Sequence, residues 1–326
     1  MKRRAFIALF GSVAAAWPLA TGAQDAGRTY RLGMMFPFPR DARESVGIMD
    51  ALFDELRRNG FVEGQNLVVE YRAWAPDLIS DYAADLAARP LDVFAVGGPV
   101  AVRAVQKATK TMAILAITDD MIGEGVVKSM ARPDGNTTGV SILATELNGK
   151  RQEILIEVVP GVRRISALAD TATSPPAQLE ALQQEAKARG IELAIQRVDK
   201  AAEIPAALEA VKASGAAALN VLASPMLHSN HQLIMERVAT LRLPAIFQWP
   251  ELAEEGGFVA YGPRFTQIVR DLYARQLVQL FRGVKVADVP VEQPSKFELA
   301  INLKTANALG VTVPPAIVAR ADKVIE

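Results

Sequence analysis

The sequence predicts an α/β fold of two doubly wound parallel-sheet lobes joined by a multi-crossing hinge. Three observations carry that expectation. Short apolar runs alternate with segments of helical period along the chain. The alternation runs through twice, with Gly60 matched by Gly190 and Ala113 by Pro244, each pair about 130 residues apart. After the second set, one more strand, a long helix and a further strand remain, enough to carry the chain back to the first lobe and out again. Strands that alternate with helices build a parallel sheet covered on both faces.

The first half reads in order. Tyr30 to Phe36 is an apolar strand ending at Pro37. Ser45 is the expected cap of a helix on which Val46, Met49, Phe53 and Leu56 share a face, and Gly60 ends it. Asn66 to Tyr71 is a strand and Leu78 to Ala88 a helix. Val93 to Val96 is a short buried strand, followed by Gly97-Gly98-Pro99, a helix to Thr109, and a strand from Ala113 to Thr118.

The second half repeats the plan. Ile165 to Ala169 is a strand. Ser174 caps, Pro175 and Pro176 open, and Gly190 closes a helix carrying Leu179, Leu182 and Ala186. Strands follow at Ile191 to Val198, Ala217 to Leu222 and Pro244 to Gln248, with helices at Ile204 to Ala213 and Leu227 to Leu241 between them. Phe258 to Tyr261 is a further strand, Phe265 to Phe281 a long amphipathic helix, and Phe297 to Asn302 another strand. The expected division is residues 1–23 as a leader, 27–141 with 264–290 as the first lobe, and 142–263 with 291–326 as the second. Ser141 to Thr145 and Tyr261 to Arg264 are the expected hinge segments.

The leader rests on a positive start at Lys2, Arg3 and Arg4, an apolar stretch from Ala5 to Leu19, and small residues at Thr21-Gly22-Ala23. That is the layout of a secretory signal, with cleavage expected after Ala23. Arg3-Arg4 also fits twin-arginine export. The 36 basic and 36 acidic residues cancel, so no electrostatic case for nucleic acid exists. No cysteine is present, which removes disulfides, thiolate catalysis and lipid attachment at a mature N-terminus. A soluble monomer in a periplasm is expected, with no cofactor.

The polar residues offer few candidates for chemistry. His228 and His231, three apart, have no marked third ligand for a metal, and their place at a helix start predicts solvated side chains. Asp119 and Asp120 follow a strand without a nucleophile motif nearby, which favours binding or helix capping over catalysis. Gly97-Gly98 lacks the phosphate-loop patterns and leaves a modest anion site at a helix start, suited to a carboxylate. In this topology ligands bind at the carboxyl ends of strands. The loops there carry Phe36, Pro37, Trp74, Gly98, Pro99, Asp119, Asp120, Thr171, Pro225, Met226, Trp249 and Tyr261, the expected ligand-binding set. Aromatics are only 6% of the chain, yet several fall at these ends, which suits a cleft with apolar walls and a few polar anchors.

Several blocks resemble one family. Arg3-Arg4-Ala5-Phe6-Ile7 resembles its usual leader, and Gly60 to Asn66 leads into Glu70-Tyr71-Arg72 as in many members. Gly123 to Val140, Gly256-Gly257 through Tyr261-Gly262-Pro263, and the tail Lys296 to Leu299 with Asn302 to Ala306, Leu309-Gly310 and Pro314-Pro315 complete the match. The chain resembles the periplasmic substrate-binding proteins of ATP-binding-cassette (ABC) uptake systems, the group that includes tryptophan-binding components. The resemblance implies the type I periplasmic binding fold, no enzymatic activity, closure of two lobes over a small carboxylate-bearing molecule, and delivery to a permease in the inner membrane. A periplasmic sensory role is the alternative, and an exported hydrolase using Asp119 or Asp120 a remote one. The chain departs from the family at strand ends, with Phe36-Pro37-Phe38 where serines are common, Asp120-Met121 in place of Asp-Pro, and Asp170 to Ser174 in place of an Asn-rich turn. Trp249 also departs from what the family usually shows. The scaffold is kept while the cleft loops differ, which implies a different ligand.

Overall fold

The computed structural model describes residues 27–326, so the expected leader and its cleavage point lie outside the described residues. The first sheet has β1 (Tyr30–Phe36), β2 (Leu67–Ala73), β3 (Val93–Gly97), β4 (Ala113–Thr118) and β5 (Thr137–Ser141), in the order β2-β1-β3-β4-β5. Every pair is parallel, with Met34 opposite Tyr71 and Ala95, and Val96 opposite Ala116. β3 is buried along its whole length, because helices cover both faces of the sheet. The helices Arg43–Arg58, Ile79–Ala87 and Pro99–Ala108 make the crossovers.

The second sheet has β6 (Arg164–Asp170), β7 (Glu192–Val198), β8 (Leu219–Val221), β9 (Ala245–Phe247), β10 (Val259–Gly262), β11 (Glu298–Asn302) and β12 (Lys323–Ile325), in the order β12-β11-β10-β9-β8-β6-β7. Its one antiparallel pair is β10 with β11. Between those two strands the chain leaves for the first lobe. The helical segment Phe265–Ile268 runs through a π turn, Val269–Tyr273, into Ala274–Phe281 and packs on helix Arg43–Arg58. The Tyr273 hydroxyl donates to the Leu115 carbonyl of β4 at 2.8 Å, which pins this segment to the first sheet.

Three segments therefore cross between the lobes: after β5, after β10, and after Glu292. Val291 N–H donates to Met130 O at 2.7 Å, Glu292 N–H to Gly139 O at 3.0 Å, and Ser141 N–H to Glu292 O at 2.9 Å, so Glu292 pairs with β5 and Val291 is held to the loop before it.

Several local expectations are corrected. Ser45 lies inside its helix, where its hydroxyl turns back to the carbonyls of Pro39, Arg40 and Ala42 instead of capping. Ser174 is displaced as cap by Pro175, and its hydroxyl is buried with no partner in the protein. The helix expected over 227–241 is two helices, Pro225–Ser229 and His231–Thr240, which meet at Asn230. Ser224 caps the first of them through the Leu227 N–H. β5 and the helix Asn148–Val158 have no counterpart in the sequence reading.

Candidate functional site

The carboxyl ends of the strands in both lobes open on one cavity of about 590 Å³. Nine of the twelve expected residues line it: Phe36, Pro37, Gly98, Pro99, Asp119, Asp120, Thr171, Pro225 and Trp249. The structure sets Trp74, Met226 and Tyr261 off its wall. Trp74 packs with the core behind β3 and covers Gly98, where an added Cβ would sit 3.3 Å from the indole and the φ of +88° strains any other residue. Met226 packs into the main core. Tyr261 turns away because successive side chains of β10 alternate. Ala260 joins the core layer of Trp249, and Tyr261 packs against the opposite layer.

One wall is apolar. Phe36 stacks on Phe38 with ring centroids 5.9 Å apart and meets Tyr273 edge-on at 6.4 Å. Trp249, from the second lobe, lies 4.9 Å from Phe265, the residue that opens the segment returning to the first lobe. Sequence reasoning passed over Phe265, Thr118, Glu124, Thr145 and His228 as site residues, and all line the cavity, as does Phe38 of the loop after β1.

The other wall is polar and mostly acidic. The Asp119 carboxylate accepts from Thr145 N–H at 3.0 Å and from the Thr145 hydroxyl. Burial pushes its pKa up from the usual carboxylate range, against those bonds and the pull of Arg151. Asp120 accepts from Ile122 N–H at 3.1 Å and Gly123 N–H at 2.9 Å, so this carboxylate shapes its own turn. Glu124 is the least committed of the three. Burial raises its pKa to about 7, the Thr118 hydroxyl pulls it down, and the Asp119 charge adds to the rise. The hydroxyl's geometry falls short of a hydrogen bond: Glu124 Oε2 and Thr118 Oγ1 are both buried without a partner in the protein. Arg103, on the helix beginning at Pro99, also borders the cavity and donates to Glu124 O at 3.3 Å.

The Gly98-Pro99 helix start differs in detail from the expectation. Gly98 N–H donates to Ile117 O at 3.0 Å and Pro99 has no N–H, so neither residue offers an amide. The first-turn amides of Val100 and Ala101 are the ones without acceptors inside the helix.

The second lobe supplies a hydroxyl-rich turn. Asp170 accepts from Ala172 N–H at 2.9 Å and from the Ser224 hydroxyl, which ties the turn after β6 to the helix after β8. His231 is not solvated, and His228 is half-buried on the cavity wall. His231 is 3% exposed, with Nε2 at 3.0 Å from Glu255 and Nδ1 at 2.7 Å from His228 O. His228 stacks on His231 and lines the cavity. Among the described residues no three histidine, aspartate or glutamate side chains cluster as metal ligands.

Behind the site, Arg151 is fully buried. It donates to Tyr261 O at 3.2 Å, to Asn148 Oδ1 at 2.6 Å and to Ala144 O, joining two of the crossing segments. Burial lowers its pKa to about 9.

Residues 40–325 match the family described as ABC transporter substrate binding protein. This chain belongs to that family. Members of this ABC transporter substrate-binding family are binding proteins, and a two-lobed cavity of this kind is what such a role uses. The tyrosine-binding protein of Clostridioides difficile is 23% identical over 289 residues, covering 85% of this chain and 79% of that protein. A conserved domain protein of Vibrio cholerae has a solved structure with a TM-score of 0.81 at 23% identity, covering 91% of this chain and 100% of that one. The ABC domain from Streptococcus pneumoniae, solved in complex with L-Trp, gives 0.79 at 22% identity, again over 91% and 100%. At these identities the structures show the fold, that of type I periplasmic binding proteins, for this substrate-binding chain.

Proposed function

We propose that this chain is the solute receptor of an ABC uptake system, closing its lobes over a ring-bearing small carboxylate in the periplasm and delivering it to an inner-membrane permease. The observation that carries this reading is the cavity between the strand ends of the two lobes. Its volume falls in the range of small-molecule sites, and one side is aromatic while the other is polar. Relatives named for tyrosine and solved with L-Trp support a ring-bearing ligand. The carboxylate is assigned to the helix start at Pro99 with Arg103, where first-turn amides and a guanidinium favour an anion. The nine expected residues on the wall are the proposed ligand contacts. Closure by three crossing segments acts by differential affinity for the closed form.

The reading is tested by thermal shift of the mature chain against amino acids, aromatic acids and small amides. A ligand that binds only the folded state raises the melting temperature. A rise confined to ring-bearing carboxylates is expected, and a rise only with sugars or polyamines contradicts it. Export with cleavage after Ala23 is part of the same proposal. N-terminal sequencing of the periplasmic pool should begin at Gln24, and an intact Met1 there contradicts it.

A further inference from the structure

Two buried polar atoms on the second-lobe wall have no partner in the protein. Trp249 is 4% exposed, and its Nε1 donor is unpaired. His228 lies edge-on to the Trp249 ring at 6.1 Å, and its Nδ1 is also unpaired. Both residues line the cavity. Phe265 packs against both rings, at 4.9 Å from Trp249 and 6.1 Å from His228, and fixes their orientation. A buried donor without a partner is unfavourable, so in folded proteins an ordered water or a ligand usually answers it, and on a cavity wall a ligand can take that place.

The chemistry of the answering group follows from what surrounds the pair. Burial lowers the His228 pKa to about 4, so the imidazole is neutral at neutral pH. A neutral imidazole offers one N–H and one lone pair. The neighbouring His231 is committed to Glu255 and to the His228 carbonyl. The arginine on the cavity wall, Arg103, belongs to the first lobe. An anion placed at Trp249 and His228 therefore meets no cation from this lobe's wall. A hydroxyl both accepts and donates, so it is the neutral group whose chemistry answers an indole N–H and an imidazole together.

We propose that Trp249 and His228 are specificity-determining residues that select a ligand bearing a hydroxyl on its ring, with the Trp249 Nε1–H donating to the hydroxyl oxygen. The inference rests on the ring-bearing carboxylate proposed above and adds the substituent that its far end carries.

Matched pairs of probes test it: L-tyrosine against L-phenylalanine, and 4-hydroxyphenylacetate against phenylacetate, by titration calorimetry on the mature chain. The hydroxylated member of a pair should bind about tenfold more tightly or better, the scale of leaving a buried donor unanswered. Trp249→Phe keeps a ring and removes the N–H, and should bring that ratio close to one. The ratio compares two ligands on one protein, so a loss of stability common to both does not move it. His228→Leu should lower the ratio in the same direction. A wild-type ratio near one overturns the inference and leaves the ring-bearing reading intact. So does a Trp249→Phe ratio equal to the wild-type ratio. If none of the four probes binds while the thermal-shift screen finds another ring-bearing carboxylate, the inference falls and the ring-bearing reading stands.

Discussion

Asp119, at the carboxyl end of β4, holds Thr145 through both its backbone N–H at 3.0 Å and its side-chain hydroxyl. Asp119 belongs to the first lobe and Thr145 to the first crossing segment, so this carboxylate anchors the hinge as well as facing the cavity. Thr145→Val keeps the shape and removes the hydroxyl donor. It should destabilise the chain by about 1–3 kcal/mol, the range for hydrogen bonds to charged groups. Urea denaturation measures this, and an unchanged midpoint contradicts the anchoring role.

Arg151 joins Ala144 to Tyr261 from a fully buried position. Arg151→Leu removes the donor to both carbonyls and one of the two donors to Asn148 Oδ1, which keeps Ala223 N–H at 3.1 Å, and a loss of about 3 kcal/mol or more is expected. Arg151→Lys should rescue little, because a single ammonium lacks the planar fork that spans both carbonyls. Recovery of full stability by lysine in a denaturation series contradicts the clasp.

Much of the scaffold was legible from the sequence, and the parts that were not share a cause. β1 and β4 were read to the residue, because mostly apolar runs, broken in β1 only by Arg31 and Gly33, end at Pro37 and at Asp119-Asp120 and have few alternative readings. β5, with the sequence TTGVS, reads as polar. It is fully buried because neighbours satisfy its hydroxyls, as when Thr138 Oγ1 donates to Val289 O at 2.6 Å. The helix Asn148–Val158 was hidden for the same reason: Asn148, Arg151 and Gln152 occupy its buried face where an apolar stripe is sought. The histidines read as solvated because Glu255, the partner of His231, comes from beyond the next strand.

The candidate site divides along the same line. Strand-end residues such as Asp119 and Trp249 were found by a topological rule that needs only strand positions. Glu124 and Phe265 reach the cavity through loop and helix placement that no local pattern encodes.

Glu124 gives a pH dependence whose sign is fixed. Its pKa rises from 4.5 to about 7 in the folded chain, so the folded state binds its proton more tightly than the unfolded state does. The stability it contributes is fully present below about pH 4.5 and is lost as pH rises through about 7. Glu124→Gln removes that titration. The difference in melting temperature, variant minus wild type, should grow as pH rises from 4.5 to 8, and a flat difference contradicts the assignment.

Gly262 ends β10 at the second crossing, where an added Cβ would sit 2.1 Å from the Gln248 carbonyl oxygen. Backbone on both sides must move to admit it. Gly262→Ala should cost about 1–3 kcal/mol, as overpacking does. Because Gln248 and Trp249 follow β9 on the cavity wall, ligand affinity should fall as well. Calorimetry on the folded variant checks this, and full affinity with full stability contradicts the close approach.

The central claim is that the two lobes close over a small molecule held between their strand ends. Small-angle X-ray scattering of the mature chain, with and without the ligand found by thermal shift, tests it most directly. The account predicts a smaller radius of gyration at saturating ligand, reversed when the ligand is dialysed away. A tight ligand that leaves the radius of gyration unchanged contradicts it.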